Sequence, residues 1–234
     1  MKRSVLILLP LCLLAGCESP GNVFRKMFPP SPKKMVAMAT NPDDADMRRQ
    51  GLMMLSSQSY GTKDEFVEVY VDILLTDPEP TVRSAAARAI GKSGNGKYAG
   101  QLAQGLSDSD TQVRWDVAIA LDNVVGDGAV DPLRNTVSQD ESKDVRAAAA
   151  VAMRHYPRMP VILTLVDALD DEAFAVQFQA RKALVDMTGY PFGYEPEDWA
   201  PVASGQLPMT APRTERPWWD VLQVTDPKPA GQIQ

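Results

Sequence analysis

Leu75-Thr76-Asp77-Pro78-Glu79-Pro80-Thr81-Val82-Arg83-Ser84-Ala85-Ala86-Ala87-Arg88-Ala89-Ile90-Gly91 decides the fold, because its core returns three times downstream. Asp77 with Arg83 is followed by Asp108 with Arg114, Asp140 with Arg146 and Asp171 with Gln177. A valine precedes each closing residue: Val82, Val113, Val145 and Val176. The aspartates lie 31, 32 and 31 residues apart. A constant period of this length belongs to stacked repeats, in which each unit buries its apolar face only against its neighbours.

Each copy carries helical periodicity. With the valine as position zero, apolar or small residues stand at +3, +4, +7 and +8: Ala85, Ala86, Ala89 and Ile90 in the quoted copy. Val117, Ala120 and Leu121 repeat this, with Asp116 the exception at +3, and so do Ala148, Ala149, Ala152 and Met153. Ala180, Ala183 and Leu184 close the series, with Gln179 at +3. This spacing lines one side of an α-helix. Met47, Gly51, Met54 and Leu55 form a weaker first copy. Asp77-Pro78 reads as a helix start, an N-cap acceptor with proline just inside, and Asp108 and Asp140 read the same way. Asn41-Pro42 repeats the signal with one extra residue. A preceding helix is expected over Lys63–Leu75, Gly96–Leu106, Ala129–Val137 and Met159–Leu169, with Gly94, Gly96, Gly126 and Gly128 at the breaks. The reading is an all-α solenoid of about five helix pairs spanning residues 41–188.

These copies resemble HEAT repeats, in the short bacterial form also seen in phycobilisome-lyase-like proteins. The resemblance rests on the Asp, the Val-Arg pair and the following alanines of the quoted stretch. It implies that Asp77, Arg83, Asp108, Arg114, Asp140 and Arg146 form a structural ladder between adjacent second helices. It also implies that those helices line a concave face. Gln177 departs from the pattern, because an amide cannot continue a cationic ladder. The lyase activity of some relatives is implied for the scaffold type only, since a shared scaffold carries no activity with it.

The start of the chain has its own signal. Lys2 and Arg3 precede an apolar run from Val5 to Ala15, too short to cross a bilayer comfortably. Leu14-Ala15-Gly16-Cys17 resembles the lipobox of bacterial lipoproteins, which implies cleavage after residue 16 and lipidation at Cys17. Residues 1–16 are then a signal peptide, and 17–40 a lipid anchor with a proline-rich tether, whose Lys34–Thr40 is a candidate start of the first helix. That tether carries Arg25, Lys26, Lys33 and Lys34, a basic neck suited to an anionic leaflet. Glu18 after the cysteine, in place of the aspartate linked to inner-membrane retention, points to the outer membrane facing the periplasm.

Composition excludes several classes of function. Loss of residues 1–16 removes Lys2 and Arg3, taking basic residues from 24 to 22 against 30 acids and the net charge from −6 to −8. Such a chain lacks the basic footprint of a nucleic-acid binder. Its cysteines are Cys12, inside the signal, and Cys17, so a lipidated mature chain has neither thiol nor disulfide. One histidine, His155, gives zinc almost no ligand set. Gly91-Lys92-Ser93-Gly94-Asn95-Gly96 lacks phosphate-loop spacing. No cofactor, metal or catalytic residue is expected, and the expected activity is binding: a membrane-anchored scaffold for a protein partner. A spacer without a ligand is the alternative, a lyase-like enzyme or subunit the distant one.

Two further features bear on binding. The row two residues after each valine reads Ser84, Trp115, Ala147 and Phe178, and helical geometry turns it away from the core seam. Trp115 and Phe178 are the candidate partner-binding residues. Residues 189–234 lie beyond the last copy and are rich in proline and aromatics. Met187-Thr188-Gly189, Phe192-Gly193-Tyr194-Glu195-Pro196, Trp199 and Trp218-Trp219 are similar to the C-terminal end of some bacterial HEAT-repeat proteins. Residues 189–222 are expected to cap the array. Tyr190, Phe192 and Tyr194 are placed near Leu184 and Met187, and Trp218-Trp219 towards Phe178.

Overall fold

The structure, a computed structural model, describes residues 30–210. Cys17, the signal segment and Trp218-Trp219 lie outside the described residues. Within them the protein is an all-helical solenoid of five helix pairs and a closing helix. The pairs are α1 (Pro32–Ala39) with α2 (Ala45–Ser56), and α3 (Asp64–Thr76) with α4 (Pro80–Ser93). Then come α5 (Ala99–Gln104), flanked by 3-10 turns at Gly96–Tyr98 and Gly105–Ser107, with α6 (Thr111–Leu121). α7 (Val130–Gln139) pairs with α8 (Lys143–Met153), and α9 (Met159–Asp167) with α10 (Phe174–Thr188); α11 (Pro196–Ala203) follows. The expected first helices fall where the period puts them.

The second helices, α2, α4, α6, α8 and α10, stack in one layer, each on the next, and the first helices form the other layer. The repeating valines set this seam: Val82, Val113, Val145 and Val176 are all fully buried. Each such side chain contributes about 1.5–3 kcal/mol relative to exposure. Ala86, Ala87, Ala118, Ala149, Ala150 and Ala180 are buried around them, and their small size lets successive helices approach.

Two boundaries differ from the sequence reading. The helical array begins at Pro32, inside the segment assigned to the tether and two residues before the candidate helix start at Lys34. Met35 and Ala39 are fully buried, and α1 packs along α2. Gly51 allows that contact, since a side chain there would overlap the Ala39 backbone. Proline did not prevent the helix because Pro32 occupies its first position, capped by Ser31. The helix starts also shift. α4 opens at Pro80, not Pro78, with Glu79 as its N-cap, and α6 is capped by Asp110, whose carboxylate accepts from the Gln112 and Val113 amides. The repeated aspartates sit just before the caps, where another task holds them.

The end of the array is closed on one layer. α11 packs on α9, in the place a sixth first helix would take. Trp199 is fully buried, its indole N–H donating to the Gly193 carbonyl at 3.1 Å. Phe192 meets the Trp199 ring edge-on at 5.2 Å and stacks on Tyr190 at 5.2 Å. Tyr194 turns instead to the exposed side of α10, 5.7 Å from Phe174 and 5.2 Å from the Arg181 guanidinium. Arg181 ties the connection down by donating to the Phe192 carbonyl at 2.9 Å.

Candidate functional site: ladder and groove on the second helices

Position +1 of the second helices carries a continuous chain of ion pairs. Arg83 holds Asp108 through Nε–Oδ2 at 2.7 Å and Nη2–Oδ1 at 2.8 Å. Arg114 holds Asp140 at 2.8 and 3.1 Å, and Arg146 holds Asp171 at 2.7 and 2.9 Å. In each case the arginine of one repeat reaches the aspartate of the next. The third guanidinium nitrogen turns back to its own repeat: Arg83 Nη1 donates to the Asp77 carbonyl, Arg114 Nη1 to Asp108 and Arg146 Nη1 to Asp140, at 2.8, 3.0 and 2.8 Å. One planar fork thus closes its own inter-helix turn and clamps the following one, which a lysine's point charge cannot do.

The aspartates are held from both sides. Oδ1 of Asp77, Asp108, Asp140 and Asp171 accepts the backbone N–H two residues on, from Glu79, Asp110, Ser142 and Ala173. This Asx turn aims the other oxygen back along the array. The ladder pairs are shielded, with Arg114 and Asp140 side chains 9% and 6% exposed. Burial is the largest single influence and works to raise the carboxyl pKa of Asp108 and Asp171, but the hydrogen bonds from Arg83 and Arg146, the amides of Asp110 and Ala173 and the attraction of the guanidinium charges together outweigh it and leave both below the usual range. The same bonds raise the arginines further.

The ladder has one rung more than the sequence reading assigned. Arg48 binds Asp77 at 2.6 and 3.0 Å and donates to the Asn41 carbonyl at 3.1 Å. Its signal was present, since Arg48 directly follows Met47 at position zero, but the extra residue after Asn41 hid the register. At the far end Gln177 donates to the Asp171 carbonyl at 2.7 Å. The amide keeps the inward bond and drops the outward one, where no further ladder aspartate stands among the described residues. Asp116, the exception in the apolar pattern, is a second cross-repeat anchor: it is 2% exposed and bound by Arg88 at 2.7 Å.

Position +2 is irregular, and the expectation that it turns away from the core holds for some copies only. Trp115 is 36% and Phe178 44% exposed, whereas Ser84 is buried. Trp115 and Ala147 line a groove of about 970 Å³ between α6 and α8. Ala147, Ala148 and Val151 form its α8 side, and Trp115 and Ile119 its α6 side, with Gln179 beyond. Asp110 and Asp144 stand at the edge nearest the ladder, and Asp122 and Asn123 at the other. Asp122 is already engaged by Arg154 at 2.8 Å and the His155 ring at 2.9 Å. Phe178 does not line this groove; it lies 6.3 Å from Phe174 on its own helix. The structure therefore separates the two aromatics that the sequence reading grouped. Among the described residues no group of three or more acidic, histidine or cysteine side chains is placed to hold a metal ion, and no helix is long and apolar enough to cross a membrane.

Comparison with known proteins supports the architecture. A family model described as HEAT repeats matches residues 67–154. A complex of CpcE and CpcF of phycocyanin lyase from Nostoc sp. PCC7120 superimposes with a TM-score of 0.60 at 19% identity, over 80% of this chain and 71% of that one. A designed armadillo repeat protein in complex with the peptide (KR)4 gives 0.56 at 20% identity, over 76% and 92% of the two chains. An engineered protein gives 0.54 at 21%, over 67% and 78%. No curated protein matches the chain. The fold class is an α-solenoid of HEAT-like helix pairs, related in shape to armadillo arrays.

Proposed function

We propose that the protein is a lipid-anchored scaffold that presents the groove face of its second helices to a protein partner in the bacterial cell envelope. The observation that carries this reading is the groove itself. Trp115 and Ile119 are 36% and 40% exposed on one helix, beside a small-residue floor on the next. Large apolar side chains left open in a concavity mark interaction sites. The designed armadillo relative binds a peptide, and the lyase relative is a complex of two chains, both in keeping with binding on such arrays. The lipobox-like Leu14-Ala15-Gly16-Cys17 supports attachment through Cys17, with the basic neck beside the lipid surface and the outer membrane as its site. The reading is non-enzymatic: Arg83, Arg114 and Arg146 are spent on the ladder, and Trp115 and the alanines beside it offer contact area rather than acid–base chemistry.

A photocrosslinker at position 115 of the lipidated chain tests the binding half. A discrete crosslinked protein, absent when the probe sits at Leu163 on the first-helix layer, is expected. Identical patterns from both positions overturn the assignment of the face. Cys17→Ser tests the anchor: the chain is expected to move from the membrane to the soluble fraction. Continued membrane retention of that variant overturns lipidation as the means of attachment.

A further inference from the structure

We infer, building on the scaffold reading, that the occupant of the groove is an extended peptide segment with lysine or arginine at every third position and one large apolar side chain seated against Ala147. The first argument is charge. In pairs two to five, the ladder turns and the first turns that follow them carry Glu79, Asp110, Glu141, Asp144 and Glu172 in addition to the ladder aspartates. The Glu141 and Glu172 side chains are 84% and 88% exposed, and their contacts to Arg114 and Arg146 are long, at 3.4 Å. The cations of the same stretches are Lys143 and the ladder arginines Arg83, Arg114 and Arg146, each of the three already forked onto an aspartate. Asp110 and Asp144 line the ladder edge of the groove, and Glu79, Glu141 and Glu172 extend the acidic excess along the neighbouring ladder turns outside its lining, so an occupant with the opposite charge on that side is favoured.

The second argument is spacing. Neighbouring helices in such a layer stand about 8–10 Å apart. A polyproline II segment has three residues per turn and rises about 3.1 Å for each, so one turn spans about 9 Å. A chain lying across the second helices in that conformation returns the same side to the acidic edge once per repeat. Positions i, i+3 and i+6 then meet Asp110, the Glu141–Asp144 pair and Glu172 in turn. A β-strand cannot do this, because its side chains alternate with period two. The third argument is the floor. Ala147 and Ala148 leave room that Trp115 and Ile119 wall on one side, so one apolar side chain of the segment fits between the aromatic ring and Val151. A cation following it lies within reach of the Trp115 face.

The test is selection from a random peptide library displayed on phage, against the mature-length chain bearing Cys17→Ser so that it stays soluble. Counter-selection uses Ala147→Leu, which fills the floor, and Asp144→Lys, an exposed change on the edge; circular dichroism confirms that both fold. Enriched peptides are expected to show Lys or Arg with period three and an aromatic or long aliphatic residue. They are expected to bind Ala147→Leu and Asp144→Lys about tenfold more weakly, a difference of about 1.4 kcal/mol. Raising salt is expected to weaken them. Groove-dependent peptides without that basic period overturn this inference and leave the scaffold reading standing. No groove-dependent enrichment also overturns it, and crosslinking from position 115 then decides the scaffold reading on its own.

Discussion

Positions +1 and +2 of the second helices are neighbours in the chain and opposites in behaviour. Position +1 reads Arg48, Arg83, Arg114, Arg146 and Gln177, and every side chain makes the same inward bond to the carbonyl at its own turn. Position +2 reads Arg49, Ser84, Trp115, Ala147 and Phe178, and no two are alike. One row faces the seam between repeats, where geometry recurs and one chemistry satisfies it each time. The other runs from buried Ser84 to exposed Trp115 and Phe178, so the stacking asks no common chemistry of it. Regularity therefore marks what holds the solenoid together, and irregularity marks the surface free to recognise something.

The sharpest way to break this contrast is at the ladder. Arg114→Ala leaves Asp140 buried without its fork, and a stability loss of about 3–5 kcal/mol is expected from chemical denaturation. Peptide affinity measured below the melting temperature is expected to stay close to wild type. A variant with unchanged stability and lost binding would move Arg114 from the ladder to the recognition surface.

The ladder also predicts an acid limb. Asp108 and Asp171 have folded pKa values below their unfolded ones, so their contribution is fully present above the unfolded value near pH 4. It is lost as pH falls through the folded values, so melting temperature is expected to drop in acid. In Arg83→Met the Asp108 share of that drop disappears, whereas Trp115→Ala retains the wild-type pH profile. Equal profiles for wild type and Arg83→Met would remove the ion pair from the explanation.

At position +2 the expected effects reverse. Trp115→Ala is expected to cost less than about 1 kcal/mol in stability, since the ring is partly exposed. The same change is expected to weaken groove-directed peptides by at least about tenfold, in the manner of a buried aromatic anchor. Calorimetry on one preparation reads both. The smallest effect belongs to the ladder's end: Gln177→Arg adds a cation with no ladder aspartate beyond it among the described residues, and a stability change within about 0.5 kcal/mol is expected. A large gain would mean that residues after 210 supply a further acid.

The sequence carried the repeat, the number of pairs and the place of each first helix, because a period near 31 residues combined with helical spacing admits few arrangements. It carried the identities of the ladder residues from Asp77 to Arg146 through the resemblance. It did not show Arg48, since one inserted residue after Asn41 broke the register that made the others visible. Nor did it show that the aspartates precede the helix caps, because a capping aspartate and an Asx-turn aspartate look alike until the position of the arginine fork is known.

What only the tertiary structure decided are matters of distance between repeats. Asp116 read as a flaw in an apolar face, and it became an anchor because Arg88 of the preceding second helix, α4, reaches it. Trp115 and Phe178 share a register position, but the floor of Ala147 and Ala148 gives one of them a groove, while the other meets Phe174 at the end of the array. Lys34–Thr40 stood only as a candidate helix within a proline-rich tether, because proline is a local signal, whereas the burial of Met35 and Ala39 that joins it to the array depends on Gly51 in the facing helix. Periodicity is a property of the chain and survives in one dimension. Which side chain meets which across a seam depends on the separation and rotation of whole helices, and those are set only when the layers pack.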